Sequence, residues 1–176
     1  MHRNILFVFM LVIISIYFVD GKKEDKKKQE EDEDLDGISH GFNKNINWVP
    51  YEDSFALAEK EKKPIFLLIH KSWCGACKAL QPLFRRAKQI EKLSKYFVMV
   101  NCADDDEPDS DLFRPDGNYI PRLLFMDPEG TVMKEIQNEN NKKENKYYYP
   151  DPGVIIKSMK KVLKKLNIEI DKKDEL

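Results

Sequence analysis

The sequence predicts an α/β domain in which a central mixed sheet is flanked by helices on both faces. An unbroken apolar run at residues 65–69 and a second, mainly apolar run at residues 97–101 are typical of strands that are buried on both sides. A helical stretch separates them, so the two strands are expected to pair in parallel. Residues 127–130 have proline second and glycine last, as a type I turn prefers, and are expected to send the chain back as an antiparallel strand.

The helices are predicted by apolar spacing and by residues that start or stop a helix. Residues 51–62 place apolar side chains on one side of a helix and Lys and Glu on the other, and Pro64 ends this helix. A long helix is expected over 74–92, kinked by Pro82. Asp151 is expected to cap a last helix with one apolar stripe. These helices can cover both faces of the sheet.

Shorter strands complete the predicted sheet. Residues 123–126 form an apolar run, and residues 131–136 follow the turn as the antiparallel fourth strand. A short additional strand is a candidate at 46–49. The predicted order is therefore helix, strand, helix, strand, acidic loop, two strands and a final helix.

The two ends of the chain resemble targeting signals. Residues 1–21 are predicted to be a secretory signal peptide, with Arg3 ahead of an apolar run over 5–19. A retained membrane anchor stays open as an alternative, although the run is shorter than the about 20 residues that a span needs. The last four residues are Lys-Asp-Glu-Leu, the signal for retention in the endoplasmic reticulum. The expected location is the lumen of the endoplasmic reticulum, with the KDEL receptor as partner and no membrane contact after cleavage.

The remaining chain divides into a linker, one domain and a tail. Of its 176 residues, 41% are hydrophobic and 35% are charged. Residues 22–42 are predicted to be a charged disordered linker, because 22–36 contain one apolar side chain and cannot bury enough surface to order. The domain is expected over 43–168 and the tail over 169–176. The net charge of −1 provides no overall basic field, so nucleic acid is not an expected partner.

The chemistry is expected at the motif Trp73-Cys74-Gly75-Ala76-Cys77, between a buried strand and a helix. Cys74 would lie at the first turn of the helix, where free backbone N–H groups and the helix dipole favour the thiolate and lower its pKa. Cys77, one turn further, would be less exposed and would resolve a mixed disulfide. Gly75 and Ala76 are small enough for a partner chain to approach, and Trp73 can shield the pair on one side.

Two other interpretations of this cysteine pair are weaker. A zinc site would need two more ligands nearby, and His70, His40 and Cys102 do not form a second paired-ligand motif. A purely structural disulfide that closes a two-residue loop would gain little stability from loop closure. Thiol–disulfide exchange is therefore favoured, with no metal expected. His70 is interpreted as a packing residue rather than a base, and Cys102 as a buried apolar residue rather than a regulatory thiol.

The order of these motifs resembles the thioredoxin fold: an apolar strand, W-C-x-x-C, a helix with Pro82, and Ile120-Pro121 ahead of a strand. The resemblance is more detailed to the small endoplasmic reticulum thioredoxin-like proteins that are related to the anterior gradient family. It spans residues 47–149. The stretches that carry it are 70–80, 97–101, 115–117, 119–122 and 127–130.

This resemblance implies a monomeric or weakly associating lumenal oxidoreductase. It would act on the thiols of secretory-pathway client proteins, with glutathione as redox partner. Pro121 would be cis and face the active site, so that Ile120 and Pro121 present the backbone edge on which a client peptide lies. No organic cofactor is expected, because the Cys74–Cys77 dithiol itself carries two electrons.

The sequence departs from many thioredoxin-like proteins at two places. The buried acid that they carry six residues before the first cysteine is replaced by Leu68, so proton transfer at Cys77 must use water or another group, or be slow. The Gly-Ala dipeptide lacks the histidine of the isomerase motif, which implies a less oxidising pair. An alternative function stays open, that of a client-binding chaperone or quality-control module that holds partners in mixed disulfides with little turnover.

Overall fold

A computed structural model describes residues 37–141 and 143–174 of the chain. The predicted leader, the linker as far as residue 36 and the last two residues of the Lys-Asp-Glu-Leu signal lie outside the described residues. The strands are β1 Trp48–Val49, β2 Ile65–His70, β3 Val98–Ala103 and β4 Arg122–Met126. The helices are α1 Tyr51–Glu61, α2 Gly75–Arg86, α3 Lys88–Ser94 and α4 Pro152–Lys165.

The four strands form one mixed sheet in the order β1-β3-β2-β4. β2 pairs in parallel with β3 and antiparallel with β4, and β1 extends the sheet in parallel beside β3. The predicted α/β class with a mixed sheet is confirmed. The antiparallel ladder between β2 and β4 ends at the pair Ile69–Arg122, at the edge of the sheet where the cysteine motif begins.

Residues of the buried strands alternate between two apolar clusters, one on each face of the sheet. In β2, Leu67 and Ile69 belong to the cluster that packs against α1. Phe66 and Leu68 belong to the cluster on the opposite face, which contains buried residues of α2, α3 and α4. Full burial of one such side chain contributes about 1.5–3 kcal/mol, so this three-layer arrangement supplies most of the apolar stabilisation.

The long helix predicted over 74–92 is two helices, which corrects the sequence prediction. Pro82 lies inside α2, whereas the break is at Ala87, whose ψ of 82° is not helical. A continuous helix that buries Leu80 and Phe84 would next bury positions 87, 88 and 91. The buried residues are instead Ile90 and Leu93. The break at Ala87 turns α3 so that these two side chains reach the same core.

The predicted fourth strand over 131–136 is also wrong. Its pairing with β4 is a single antiparallel bridge, Met126–Val132. Beyond the bridge the backbone bonds locally: the Ile136 N–H donates to the Met133 carbonyl at 2.9 Å. Met133 and Ile136 are both buried in the same cluster, three residues apart, which a turn allows and an alternating strand does not.

The folded unit begins at Ile38, earlier than the predicted boundary at 43. Phe42 is buried in the α2-face cluster, and the Asn101 side chain donates to the Ser39 carbonyl at 2.7 Å. The last five residues of the predicted linker therefore pack on the domain. The predicted tail packs as well, since the Asp174 carboxylate is buried beside Lys95 and Tyr96. In the described ranges, no helix is long and apolar enough to cross a membrane.

Candidate active site

The cysteine pair lies where β2 gives way to α2. The Cys74 N–H donates to the Lys71 carbonyl at 3.2 Å in the turn after the strand. Cys74 is the N-cap residue of α2, and its Sγ accepts the backbone N–H of Cys77 at 3.1 Å. The sulfur of Cys74 therefore lies at the N-terminus of α2, where it receives a backbone donor of the first helical turn.

The two sulfurs differ in access. Cys74 is 7% exposed and Cys77 is 1% exposed, whereas Trp73 beside them is 72% exposed. A Cβ added to Gly75 would meet nothing within 4 Å, so the turn between the cysteines is open on that side, and Ala76 next to it is partly exposed. A partner chain can approach Cys74 along Trp73 and the open turn, whereas Cys77 is almost fully buried.

The Cys77 thiol holds its proton strongly. Burial is the main cause that raises its pKa to about 12, and the hydrogen bond with Cys74 and the charge of that sulfur act in the same direction. Backbone hydrogen bonding at Lys71 opposes the rise in part. Leu68 is fully buried on the α2 face of the sheet, and it stands six residues before Cys74, where many thioredoxin-like proteins carry a buried acid. Near neutral pH, Cys77 is therefore a thiol.

The site is bounded on one side by the cysteine turn and on the other side by the segment before β4. The Ile120–Pro121 peptide bond is cis, and the Cys74 thiol donates to the Ile120 carbonyl oxygen at 3.9 Å. Because the β2–β4 ladder ends at Ile69–Arg122, the residues after β2 run beside the residues before β4. The structure thus brings Cys74, Ile120 and Pro121 together from positions almost fifty residues apart.

The acidic loop between β3 and β4 is attached to the same site. The Ser72 N–H donates to the Asp104 carboxylate at 2.8 Å, and the Lys71 ammonium lies 2.8 Å from the Glu107 carboxylate. Glu107 also contacts the fully buried Arg122. Sequence reasoning did not single out these last two residues. The available signal was Arg122, a charge inside an otherwise apolar strand, whereas Glu107 is one of several acids in its loop.

Two other residues considered from the sequence are buried in the packed interior. His70 is buried at the end of β2 with its ring 5.0 Å from that of Phe42, and burial, followed by the nearby His40, lowers its pKa to about 4. It is therefore neutral and serves in packing. Cys102 is buried in the α1-face cluster, and burial is the main cause that raises its pKa to about 12. Among the described residues, no group of three His, Cys, Asp or Glu side chains is arranged to bind a metal ion.

Comparison with known proteins gives the family. The family model described as thioredoxin-like matches residues 47–128. Human anterior gradient protein 2 homolog is 31% identical over 134 residues, which cover 76% of this chain and 75% of that protein. The chain belongs to the anterior gradient family of thioredoxin-like proteins. This thioredoxin-like protein is also 28% identical to human anterior gradient protein 3 over 172 residues, 97% of this chain and 99% of the relative.

Solved structures with a similar fold include a thioredoxin from Thermus thermophilus, 17% identical with a TM-score of 0.48 over 67% of this chain and 87% of that chain. A disulphide isomerase from Xylella fastidiosa Temecula1 is 22% identical with a TM-score of 0.42 over 63% of this chain and 86% of its own. The family match confirms the thioredoxin fold and the relationship to anterior gradient proteins that the motifs indicated. With its paired thiols, this thioredoxin-like protein belongs to the general class of thiol–disulfide oxidoreductases.

Proposed function

We propose that this thioredoxin-like protein exchanges disulfides with client proteins in the lumen of the endoplasmic reticulum, with glutathione as redox partner. The observation that carries the proposal is the position of Cys74. Its sulfur caps α2, accepts the Cys77 amide and lies 3.9 Å from the Ile120 carbonyl, beside the open turn at Gly75. One sulfur thus lies at a helix N-terminus beside an open turn, and the second is buried next to it.

The proposed reaction reduces a client disulfide in two exchange steps and oxidises the Cys74–Cys77 dithiol. The Cys74 thiolate attacks one sulfur of a client disulfide, the client S–S bond breaks, and the second client sulfur leaves as a thiolate. Cys77 then loses its proton and attacks Cys74, which releases the reduced client and forms the Cys74–Cys77 disulfide. Reduced glutathione would regenerate the dithiol by the same exchange, so no organic cofactor is part of the proposal.

The proposed client site uses the residues around Cys74. The carbonyl of Ile120 and the backbone at Pro121 can pair with an extended client peptide. Trp73 offers an exposed aromatic surface, and Gly75 and Ala76 leave room for the client sulfur. Backbone pairing of this kind binds many sequences, which suits an enzyme that acts on varied clients.

The test of the proposed enzyme is reduction of a peptide disulfide with reduced glutathione as the only electron source. The wild type should turn over repeatedly, and Cys74→Ser should be inactive. Cys102→Ala is the matched control, because it removes a thiol from the opposite face and should retain activity. Turnover with dithiothreitol but not with glutathione would contradict glutathione as the partner while leaving the exchange chemistry intact.

A second candidate function is favoured by the environment of Cys77. Because burial raises its pKa to about 12 and Leu68 stands where an acid could assist, the resolving attack is expected to be slow. A protein with slow resolution would hold clients as mixed disulfides and act as a quality-control module. Acid quenching during a single turnover distinguishes the two: a mixed disulfide that persists in the wild type supports holding, and rapid loss supports the enzyme.

The proposed location rests on the leader at 1–21 and the Lys-Asp-Glu-Leu signal, which the KDEL receptor would bind. Deleting residues 173–176 should send the protein from secretory cells into the medium. Retention that does not change after the deletion would argue for a membrane anchor at the leader instead.

A further inference from the structure

One carboxylate joins the two walls of the active site. Past the pair Ile69–Arg122 the β2–β4 ladder stops, so backbone pairing no longer sets the distance between the cysteine turn and the Ile120–Pro121 segment. Glu107 lies at this point, with one carboxylate oxygen 2.8 Å from the Lys71 ammonium and the other on the Arg122 guanidinium. Lys71 precedes the cysteines by three residues, and Arg122 directly follows Pro121.

The two cations are held by further contacts on their own sides. The Lys71 ammonium also donates to the Asp104 carbonyl, and the Lys71 carbonyl accepts the Cys74 N–H at 3.2 Å. Arg122 is fully buried and donates to the Phe113 carbonyl at 2.9 Å. Its guanidinium also bonds to the Tyr119 carbonyl, next to Ile120. Movement of either cation would therefore move backbone that lines the site.

Neighbouring cations stabilise the ionised carboxylate of Glu107. Its side chain is only 10% exposed, and burial acts to raise its pKa, yet Lys71 and Arg122 hold that pKa below its ordinary value. The carboxylate is therefore ionised at neutral pH, with Lys71 on one oxygen and Arg122 on the other, where Arg114 also lies 3.6 Å away. Charge-assisted hydrogen bonds of this kind are short and directional, which suits them to fixing a distance.

We propose that Glu107 is a positioning residue for thiol–disulfide exchange with peptides. Its carboxylate ties the segment before Cys74 to the segment after Pro121 and so fixes the space in which a client backbone lies against the Ile120 carbonyl. The inference rests on the proposed function. It predicts that loss of the tie weakens the reaction of Cys74 with a peptide disulfide and spares its reaction with a small reagent that does not use the Ile120 edge.

The test uses Glu107→Gln in the full chain with Cys77→Ser, so that only the first attack is measured. The rate of mixed-disulfide formation is followed against the concentration of a peptide disulfide, and alkylation by iodoacetamide reports the reactivity of Cys74 alone. Misplacement of about 1 Å can cost 100-fold, so we expect the apparent KM for the peptide to rise roughly tenfold. The limiting rate and the alkylation rate should stay close to those of the parent.

The matched control is Asp105→Asn, which removes the same charge from the same loop. Asp105 is exposed, and a surface change of this kind should leave the peptide KM within about twofold. Glu107→Asp keeps the charge on a shorter arm and should restore part of the loss. Lys71→Met removes one half of the tie and should raise the peptide KM in the same way, which keeps the test available if Glu107→Gln does not fold.

Three outcomes would overturn the inference. Glu107→Gln and Asp105→Asn could have equal peptide KM values. Peptide attack and alkylation could fall together with thermal stability, which would assign Glu107 to folding alone. A parent protein in which Cys74 is alkylated but never forms a peptide mixed disulfide would overturn the proposed function itself and with it this role. The parent measurement thus separates failure of the function from failure of the inference.

Discussion

Two buried thiols, Cys77 and Cys102, lie on opposite sides of the sheet, and the pKa of each is raised. Cys77 is 1% exposed on α2, and Cys102 is 2% exposed in the cluster under α1. Burial is the main cause that raises the pKa of each to about 12. Their neighbours differ: the next influence on Cys77 is the Cys74 sulfur, whereas on Cys102 it is the Asp106 carboxylate.

This difference shows that burial and a high pKa do not identify a redox thiol. The Cys77 amide donates to the sulfur of Cys74 at 3.1 Å, at the first turn of a helix, and the proposed exchange uses this arrangement. Cys102 has the packing of a small apolar residue. What distinguishes Cys77 from Cys102 is the neighbouring sulfur at a helix N-terminus. Four predictions test this difference between the two thiols.

The largest effect is expected from exchanging each cysteine for serine. Cys74→Ser should lower peptide-disulfide exchange by about 1,000-fold or more, because the attacking sulfur is lost. Cys77→Ser should permit one attack and accumulate mixed disulfides, and Cys102→Ser should do neither. The products are separated by non-reducing electrophoresis after acid quench. Mixed disulfides that form through Cys102 in the double variant Cys74→Ser/Cys77→Ser would contradict the comparison.

The second prediction places a carboxylate on each face of the same strand. Leu68→Glu puts it on the side of α2, and Leu67→Glu puts it on the side of Cys102. Both side chains are fully buried, so each variant should lose about 2–5 kcal/mol of unfolding free energy.

Only Leu68→Glu should also speed the resolving attack by Cys77, since only there could the new acid accept the thiol proton. Urea unfolding gives the stability, and rapid acid quench gives the rate of mixed-disulfide decay across pH 6 to 8. Equal decay rates in both variants would show that a carboxylate at position 68 does not assist Cys77.

The third prediction concerns the pH dependence of stability. Thiols in the unfolded chain lose their protons near pH 9, whereas Cys77 and Cys102 in the folded protein keep theirs to about pH 12. The folded state therefore binds more protons between these values. Its stability is fully present below about pH 9 and falls as the pH rises toward 12.

The redox state separates the contributions of the two thiols. In the oxidised protein Cys77 is bonded to Cys74 and no longer titrates, so the loss of stability should be steeper for the reduced protein. Denaturation midpoints from pH 8 to 11 in both redox states measure this difference. Identical slopes would mean that the folded Cys77 thiol ionises no later than an ordinary thiol.

The smallest effect is expected from Cys102→Ala. Removing one buried sulfur should cost about 1 kcal/mol of unfolding free energy, as for a small truncation in a core. Peptide exchange should stay within about twofold of the wild type, because the change lies on the face opposite α2. A large loss of exchange at unchanged stability would assign Cys102 a role in the reaction.

Local patterns were sufficient to predict the parts of the fold that depend on local interactions. The apolar runs at β2 and β3 predicted buried strands, and Asp151 predicted the start of α4, where its side chain accepts the Gly153 N–H at 2.7 Å. The order Trp73-Cys74 after a strand likewise indicated that Cys74 would begin a helix. Each of these depends on neighbours within a few residues.

Features that depend on contacts across the chain were missed. The break at Ala87 exists because Ile90 and Leu93 must reach the core beside α4. The turn at Met133–Ile136 replaces a strand because both side chains enter the same cluster. The apolar spacing within each segment was also compatible with a continuous helix in the first place and with a strand in the second. The position of the neighbouring core decided which structure formed.

By itself, the sequence determined the α/β class, the pairing of Cys74 with Cys77 at the start of a helix, and the absence of an acid at Leu68. These follow from periodicity and from the order of neighbouring residues. Only the tertiary structure decided that Ile120 lies against Cys74 and that Glu107 joins Lys71 to Arg122. The physical reason is that ion pairs and hydrogen bonds form only between atoms a few ångströms apart. Residues so distant in sequence come within that range only when the chain folds.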